Sequence, residues 1–185
     1  MADLSRARVL MIATDGFEES ELMKPRQALL DAGAKVTLAS LARDPIQGER
    51  SGEKGATITP DALVAEMDSD DFDALVLPGG VGNPDRLRLD RRTVELVQAF
   101  SDAGKVVAAI CHAPWLLAEA DILDGRRVTS WPSVRTDLAN AGATVVDEAV
   151  VIDGNLITSR KPGDIPMFVD AIKSALAEEL EAAVE

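Results

Sequence analysis

The chain has no tyrosine, one histidine and one cysteine in 185 residues, and aromatic residues make up only 3% of it. Each shortage removes a class of function. Without tyrosine there is no phenol to act as a general acid, and so few rings make a stacking platform for nucleobases unexpected. A lone cysteine forms no intramolecular disulfide, so nothing here depends on an oxidising compartment. One Cys and one His fall short of the ligands of a zinc site built from these residues; we expect no metal and no cofactor. Positive charge is also short. Lys and Arg number 19 against 32 Asp and Glu, a net charge of −13, which repels phosphate backbones and anionic lipid. Neither nucleic acid nor membrane is therefore an expected partner. Long apolar runs are missing too: Val9–Ala13, Ala74–Leu77 and Val106–Ile110 are far below the roughly 20 residues that span a bilayer. The N-terminus has no charged-then-apolar signal pattern, and the cytoplasm is the expected location.

Hydrophobic residues make up 46% and charged residues 28%, an ordinary globular composition. The length suits one domain, residues 1–185, large enough for a sheet covered on both faces. Short β-rich runs alternate with amphipathic stretches, the pattern of an open, mostly parallel sheet with helices on each side. Strands are expected at Val9–Ala13, Lys35–Ser40, Phe72–Leu77, Lys105–Ile110, Arg127–Thr129, Thr144–Val146, Val150–Ile152 and Leu156–Thr158. Helices are expected from about Glu18 to Asp31, over Asp90–Ala103 and Ala113–Ala120, and from Gly163 to Leu180 with a fraying Glu-rich end. Leu41–Thr59 reads as a loop with a short hairpin at most.

Sites in such sheets form outside the carboxyl ends of the strands. Three loops leave those ends: Asp15–Glu18, Pro78–Gly82 and Ile110–Pro114. In the third, an apolar strand runs directly into Cys111 and a helix follows at once. That is the layout of a nucleophile elbow, in which a strained turn lifts the nucleophile above the sheet at a helix start. The helix N–H groups and dipole are expected to favour thiolate. His112, the sole histidine, excludes a triad that draws its imidazole from elsewhere in the fold. On a sharp turn it reaches the adjacent thiol or a substrate, whereas a histidine that only bonds locally is the plainer alternative. Gly79 and Gly80 let a backbone N–H approach the thiol as an oxyanion hole requires, with Gly80 and His112 as its donors. Glu18 stands where a carboxyl could tune the thiol; Glu19 and Glu21 read as favourable charge at a helix start.

The runs Leu77-Pro78-Gly79-Gly80, Ala109–Pro114, Gly16–Leu22, Val128–Pro132 and Leu156–Pro162 together resemble the PfpI, or intracellular protease I, family. That family lies within the class I glutamine amidotransferase-like superfamily, with the parkinsonism-associated deglycase. The resemblance covers almost the whole chain. It implies a flavodoxin-like three-layer α/β sandwich, a nucleophile at Cys111 with His112 beside it, and Glu18 as the carboxyl touching the thiol. It also implies a homo-oligomer, dimer or higher, in which Asp85 reaches the Cys-His pair of a neighbouring subunit. Trp131 stands where peptidase-like members often carry Tyr, and Asp85 where they often carry Glu.

Three readings of function follow. In the first, a stress-response protein uses Cys111 against small reactive carbonyls or glycated adducts, with Glu18 or His112 moving the proton. In the second, the thiol hydrolyses peptides through a Cys111-His112-Asp85 triad. In the third, which is not enzymatic, Cys111 senses oxidation and Glu18 holds the sulfinate.

Overall fold

The computed structural model describes residues 3–182. From the N-terminus come strand β1 (Arg8–Ile12), a short β2 (Phe17–Glu18), helix α1 (Glu19–Asp31) and β3 (Lys35–Ser40). There follow β4 (Ile46–Arg50), β5 (Glu53–Ile58), β6 (Ala62–Leu63) and β7 (Ala74–Leu77). Helices α2 (Gly82–Leu87) and α3 (Arg91–Asp102) lead to β8 (Val106–Ile110) and α4 (Pro114–Glu119). The chain continues through β9 (Arg127–Val128), α5 (Arg135–Asn140), β10 (Thr144–Val145), β11 (Val150–Asp153), β12 (Leu156–Ser159) and α6 (Ile165–Ala182).

Seven strands form the main sheet in the order β11-β12-β8-β7-β1-β3-β6. Every neighbouring pair is parallel except β11 with β12. The expected three-layer sandwich is thus observed. Its central strands are apolar throughout because side chains alternate between two covered faces. From β1, Val9 and Met11 pack with Leu22 and Leu29 of α1 and Phe168 and Ile172 of α6. Leu10 and Ile12 enter the opposite core, with Leu96, Val97 and Phe100 of α3 and Leu116 of α4. Burying a ring such as Phe100 or Phe168 contributes about 1.5–3 kcal/mol, so both faces are needed to hold the sheet. The start of α3 is set by Asp90, whose carboxylate accepts from the Thr93 N–H at 2.8 Å; losing such a cap costs about 1 kcal/mol.

Several local expectations change. The hairpin allowed for within Leu41–Thr59 is present, β4 antiparallel to β5, but β2 joins it in parallel to make a second, three-stranded sheet. Its strands mix polar with apolar residues, so hydrophobic period alone does not reveal them. The runs at Arg127 and Thr144 do pair, but as a separate two-stranded sheet. Gly163 lies in a 3-10 turn before α6, and α6 reaches Ala182; the remainder of its Glu-rich end lies outside the described residues. No helix among the described residues is long and apolar enough to cross a membrane.

Candidate active site

β1, β7 and β8 are parallel neighbours, so their carboxyl ends open at one edge of the sheet. Gly16–Glu18, Gly79–Gly80 and Cys111 meet there. Cys111 has φ 65, a left-handed conformation that costs an L-residue about 1–2 kcal/mol. Backbone bonds hold it in place: the Cys111 N–H donates to Ser159 O at 3.0 Å, and its carbonyl accepts from Trp131 N–H at 2.9 Å. Cys111 thus sits in a strained strand-to-helix turn, held by β12 on one side and by the segment after β9 on the other.

His112 is buried with both ring nitrogens engaged. Nδ1 lies 3.2 Å from Cys111 Sγ, and Nε2 lies 3.2 Å from Ser133 Oγ. Trp131 stacks on the ring at 5.8 Å between centroids, and Trp115 meets it edge-on at 5.5 Å. Burial lowers its pKa, which keeps it neutral near pH 7. A thiol donating to Nδ1 places the imidazole proton on Nε2, toward Ser133, a tautomer assigned from these partners. His112 is then poised to take the thiol proton.

The carboxyl beside the thiol is Glu21. The resemblance placed Glu18 there, and the geometry corrects it. Glu18 is still extended in β2, where its Oε1 accepts from Ser20 Oγ at 3.3 Å and its Oε2 from Ser51 N–H at 3.1 Å. Once α1 begins at Glu19, position 21 turns inward. Glu21 is fully buried, and its Oε2 accepts from the Gly79 N–H at 3.0 Å. A Cβ on Gly79 would lie 2.5 Å from Glu21 Oε2 and 2.7 Å from Cys111 Cβ, so only glycine fits between carboxyl and thiol. The two groups are close enough to perturb each other's titration. Their side chains are in contact, and Glu21 Oε1 has no hydrogen-bond partner of its own. Burial pushes the Glu21 carboxyl up to about 8, with the charge of Glu18 adding and the Cys111 and Gly79 contacts opposing. It is protonated at neutral pH.

Burial also raises the Cys111 thiol, as does an ionised Glu21; the Gly80 and His112 N–H groups that face the sulfur oppose both. The expectation that a helix start would tip the thiol toward thiolate therefore gives way. α4 has only six residues and opens on Pro114, which has no N–H to offer. Below about pH 8 Glu21 is neutral, which removes its repulsion and leaves burial as the main cause. The backbone N–H groups of Gly80 and His112 face the sulfur. Gly80 has φ 83, and a Cβ there would meet Gly16 O at 2.2 Å. Asp85 is exposed on α2 and makes no hydrogen bond to His112 of its own chain. Among the described residues no three His, Cys, Asp or Glu side chains gather as metal ligands.

A pocket of about 420 Å³ opens over the sulfur. Glu18, Glu21, Gly80, Val81, Cys111, His112, Trp131 and Pro162 line it, and Glu49, Ser51 and Gly52 of the β4–β5 hairpin form one wall.

The family model described as DJ-1/PfpI matches residues 7–175. The chain belongs to the DJ-1/PfpI family. General stress protein 18 of Bacillus subtilis is 43% identical over 162 residues, covering 87% of this chain and 92% of that one. Deglycase PfpI of Pyrococcus furiosus is 40% identical over 158 residues, covering 85% and 92%. The crystal structure of Drosophila melanogaster DJ-1beta superposes with a TM-score of 0.84 at 34% identity, covering 96% of this chain and 97% of that one. In this DJ-1/PfpI chain the site residues missed by sequence reasoning are Glu21, Ser133 and the hairpin wall. A signal for Glu21 was present: Glu21, Pro25 and Leu29 recur at four-residue spacing along one buried stripe of α1, and Glu18 precedes the helix. Ser133 and the hairpin approach only through long-range folding.

Proposed function

We propose that this DJ-1/PfpI protein is a cysteine-dependent enzyme acting on small reactive carbonyls, of which an α-oxoaldehyde is the simplest. The observation that carries the reading is the Cys111 thiol in a left-handed turn, 3.2 Å from a neutral His112 nitrogen and beside a buried, protonated Glu21. His112 Nδ1 takes the thiol proton as Sγ bonds to the aldehyde carbon, and the carbonyl oxygen becomes a hemithioacetal oxygen facing the Gly80 and His112 N–H groups. Glu21 supplies a proton to that oxygen. The carboxylate it leaves behind accepts the aldehydic C–H proton while the His112 imidazolium protonates the ketone oxygen, giving an enediol. Glu21 then gives its proton to the former ketone carbon and takes the hemithioacetal O–H proton, leaving a thioester of a 2-hydroxy acid. Water then cleaves the thioester and restores the thiol. The net change is addition of one water, with no external oxidant or reductant. The names of the stress protein and deglycase relatives support a role against carbonyl stress.

The peptidase reading requires a neighbouring subunit to bring Asp85 to His112. Both His112 nitrogens are already engaged, by Cys111 and Ser133, so an incoming Asp85 has to displace Ser133; this weighs against it. The sensor reading uses the same thiol, with Glu21 rather than Glu18 as the carboxyl beside it. The deciding experiment follows lactate formation from methylglyoxal, in parallel with cleavage of a fluorogenic peptide, for wild type and Cys111→Ser. Lactate formation that vanishes in Cys111→Ser is the expected result. Thiol-dependent peptide cleavage without lactate would overturn the reading.

A further inference from the structure

Trp131 has a second face. It also lines a separate cavity of about 230 Å³, bordered by Pro132, Arg135, Asp147, Arg160 and Lys161. Pro162, the next residue after Lys161, belongs to the thiol pocket. The two cavities therefore adjoin across Trp131 and the Lys161-Pro162 link. The lining carries three cationic side chains against one carboxylate, in a chain whose net charge is −13.

The cations are held in place. Asp147 Oδ1 accepts from Arg135 Nη2 at 2.7 Å and from Arg160 Nη1 at 2.9 Å. Arg160 is further anchored by two bonds to Asp164, at 2.8 and 3.1 Å. A purely structural role accounts for that ion network, but it leaves two donors unused. Arg135 Nε is buried and donates to nothing, and a buried N–H without a partner is destabilising. Lys161 is exposed and has no ion pair among the described residues. Arg135 and Lys161 both line a space large enough for a small oxyanion, and guanidinium and ammonium groups recognise carboxylate and phosphate alike.

We propose that this cleft is a subsite for an anionic group, carboxylate or phosphate, carried by the same molecule whose carbonyl Cys111 attacks. The proposal rests on the carbonyl reading above and narrows it: preferred substrates are carbonyl compounds with an anion a few bonds away, long enough to pass the edge of Trp131. Neutral methylglyoxal engages the thiol pocket alone.

Binding tests the subsite independently of turnover. In Cys111→Ser, 4-oxopentanoate and its methyl ester are titrated with tryptophan fluorescence as readout. The acid is expected to bind at least tenfold more tightly than the ester. Lys161→Met and Arg135→Gln should each weaken the acid about tenfold and leave the ester unchanged. Equal binding of acid and ester, or parallel loss of both in the variants, overturns the subsite. Inorganic phosphate is titrated alongside; if it binds as tightly as 4-oxopentanoate, the cleft takes free anions and the substrate subsite is refuted. Turnover of 4,5-dioxopentanoate and its methyl ester by wild type completes the set. Higher kcat/KM for the acid supports the subsite, and turnover of both without preference overturns it. Turnover of neither, with acid-selective binding intact, overturns the carbonyl reading while the subsite stands.

Discussion

Replacing Glu21 with glutamine removes a titration that the folded chain holds far from its ordinary position. The carboxyl titrates at about 8 in the folded protein against 4.5 ordinarily. Below pH 4.5 it is protonated whether the chain is folded or not, and its burial carries no ionisation cost. Between 4.5 and about 8 the unfolded chain releases the proton and the folded chain keeps it. Stability therefore falls by about tenfold in the folding constant for each pH unit across that window. Above about 8 both states are ionised, and the loss levels off at about 5 kcal/mol. Glu21→Gln keeps an oxygen for the Gly79 N–H and has no such window. Urea unfolding of wild type and Glu21→Gln at about pH 5, 7 and 8.5 measures the difference directly. The variant should gain on wild type steadily with pH, by several kcal/mol in total, with the steepest change below about pH 8. Parallel pH profiles would mean that the native carboxylate is ionised throughout, and the proton-donor role given to Glu21 would fall with them.

Three further outcomes follow from the same geometry. Iodoacetamide should alkylate Cys111 faster in Glu21→Gln than in wild type above about pH 8, because there the ionised Glu21 raises the thiol pKa; identical rate–pH curves would separate the two groups. The single histidine gives one C2–H signal, and its NMR titration should lie below 6.5. Trp131→Ala, which uncovers one face of the ring, should move it upward, and no movement would remove burial by Trp131 as the cause. Gly80→Ala places a Cβ 2.2 Å from Gly16 O at φ 83, whereas Gly104→Ala at φ 69 meets no heavy atom within 4 Å. Urea unfolding should show a loss of about 2–5 kcal/mol for the first and only the conformational strain of about 1–2 kcal/mol for the second; equal losses would refute the close approach.

By itself the sequence determined the layers and the setting of Cys111. Apolar runs such as Val106–Ile110 admit little but a strand buried on both faces, and a strand that ends in Cys111 before helix-forming residues leaves the thiol at the sheet edge. His112 and Gly80 were legible for the same reason, since each is tied to that edge by one or two covalent steps from a strand. The choice between Glu18 and Glu21 was not legible in that way. Both lie close to the first strand exit, and only the start of α1 at Glu19 decides which carboxyl turns inward. Tertiary structure also brought Ser133 to His112, laid the β4–β5 hairpin over the sulfur and gathered Arg135, Arg160 and Lys161 behind Trp131. Those contacts join residues far apart in the chain, so no local period marks them. The direction of the thiol's pKa was decided there as well: the helix-start argument considers nearby dipoles, whereas burial depends on everything packed around the sulfur.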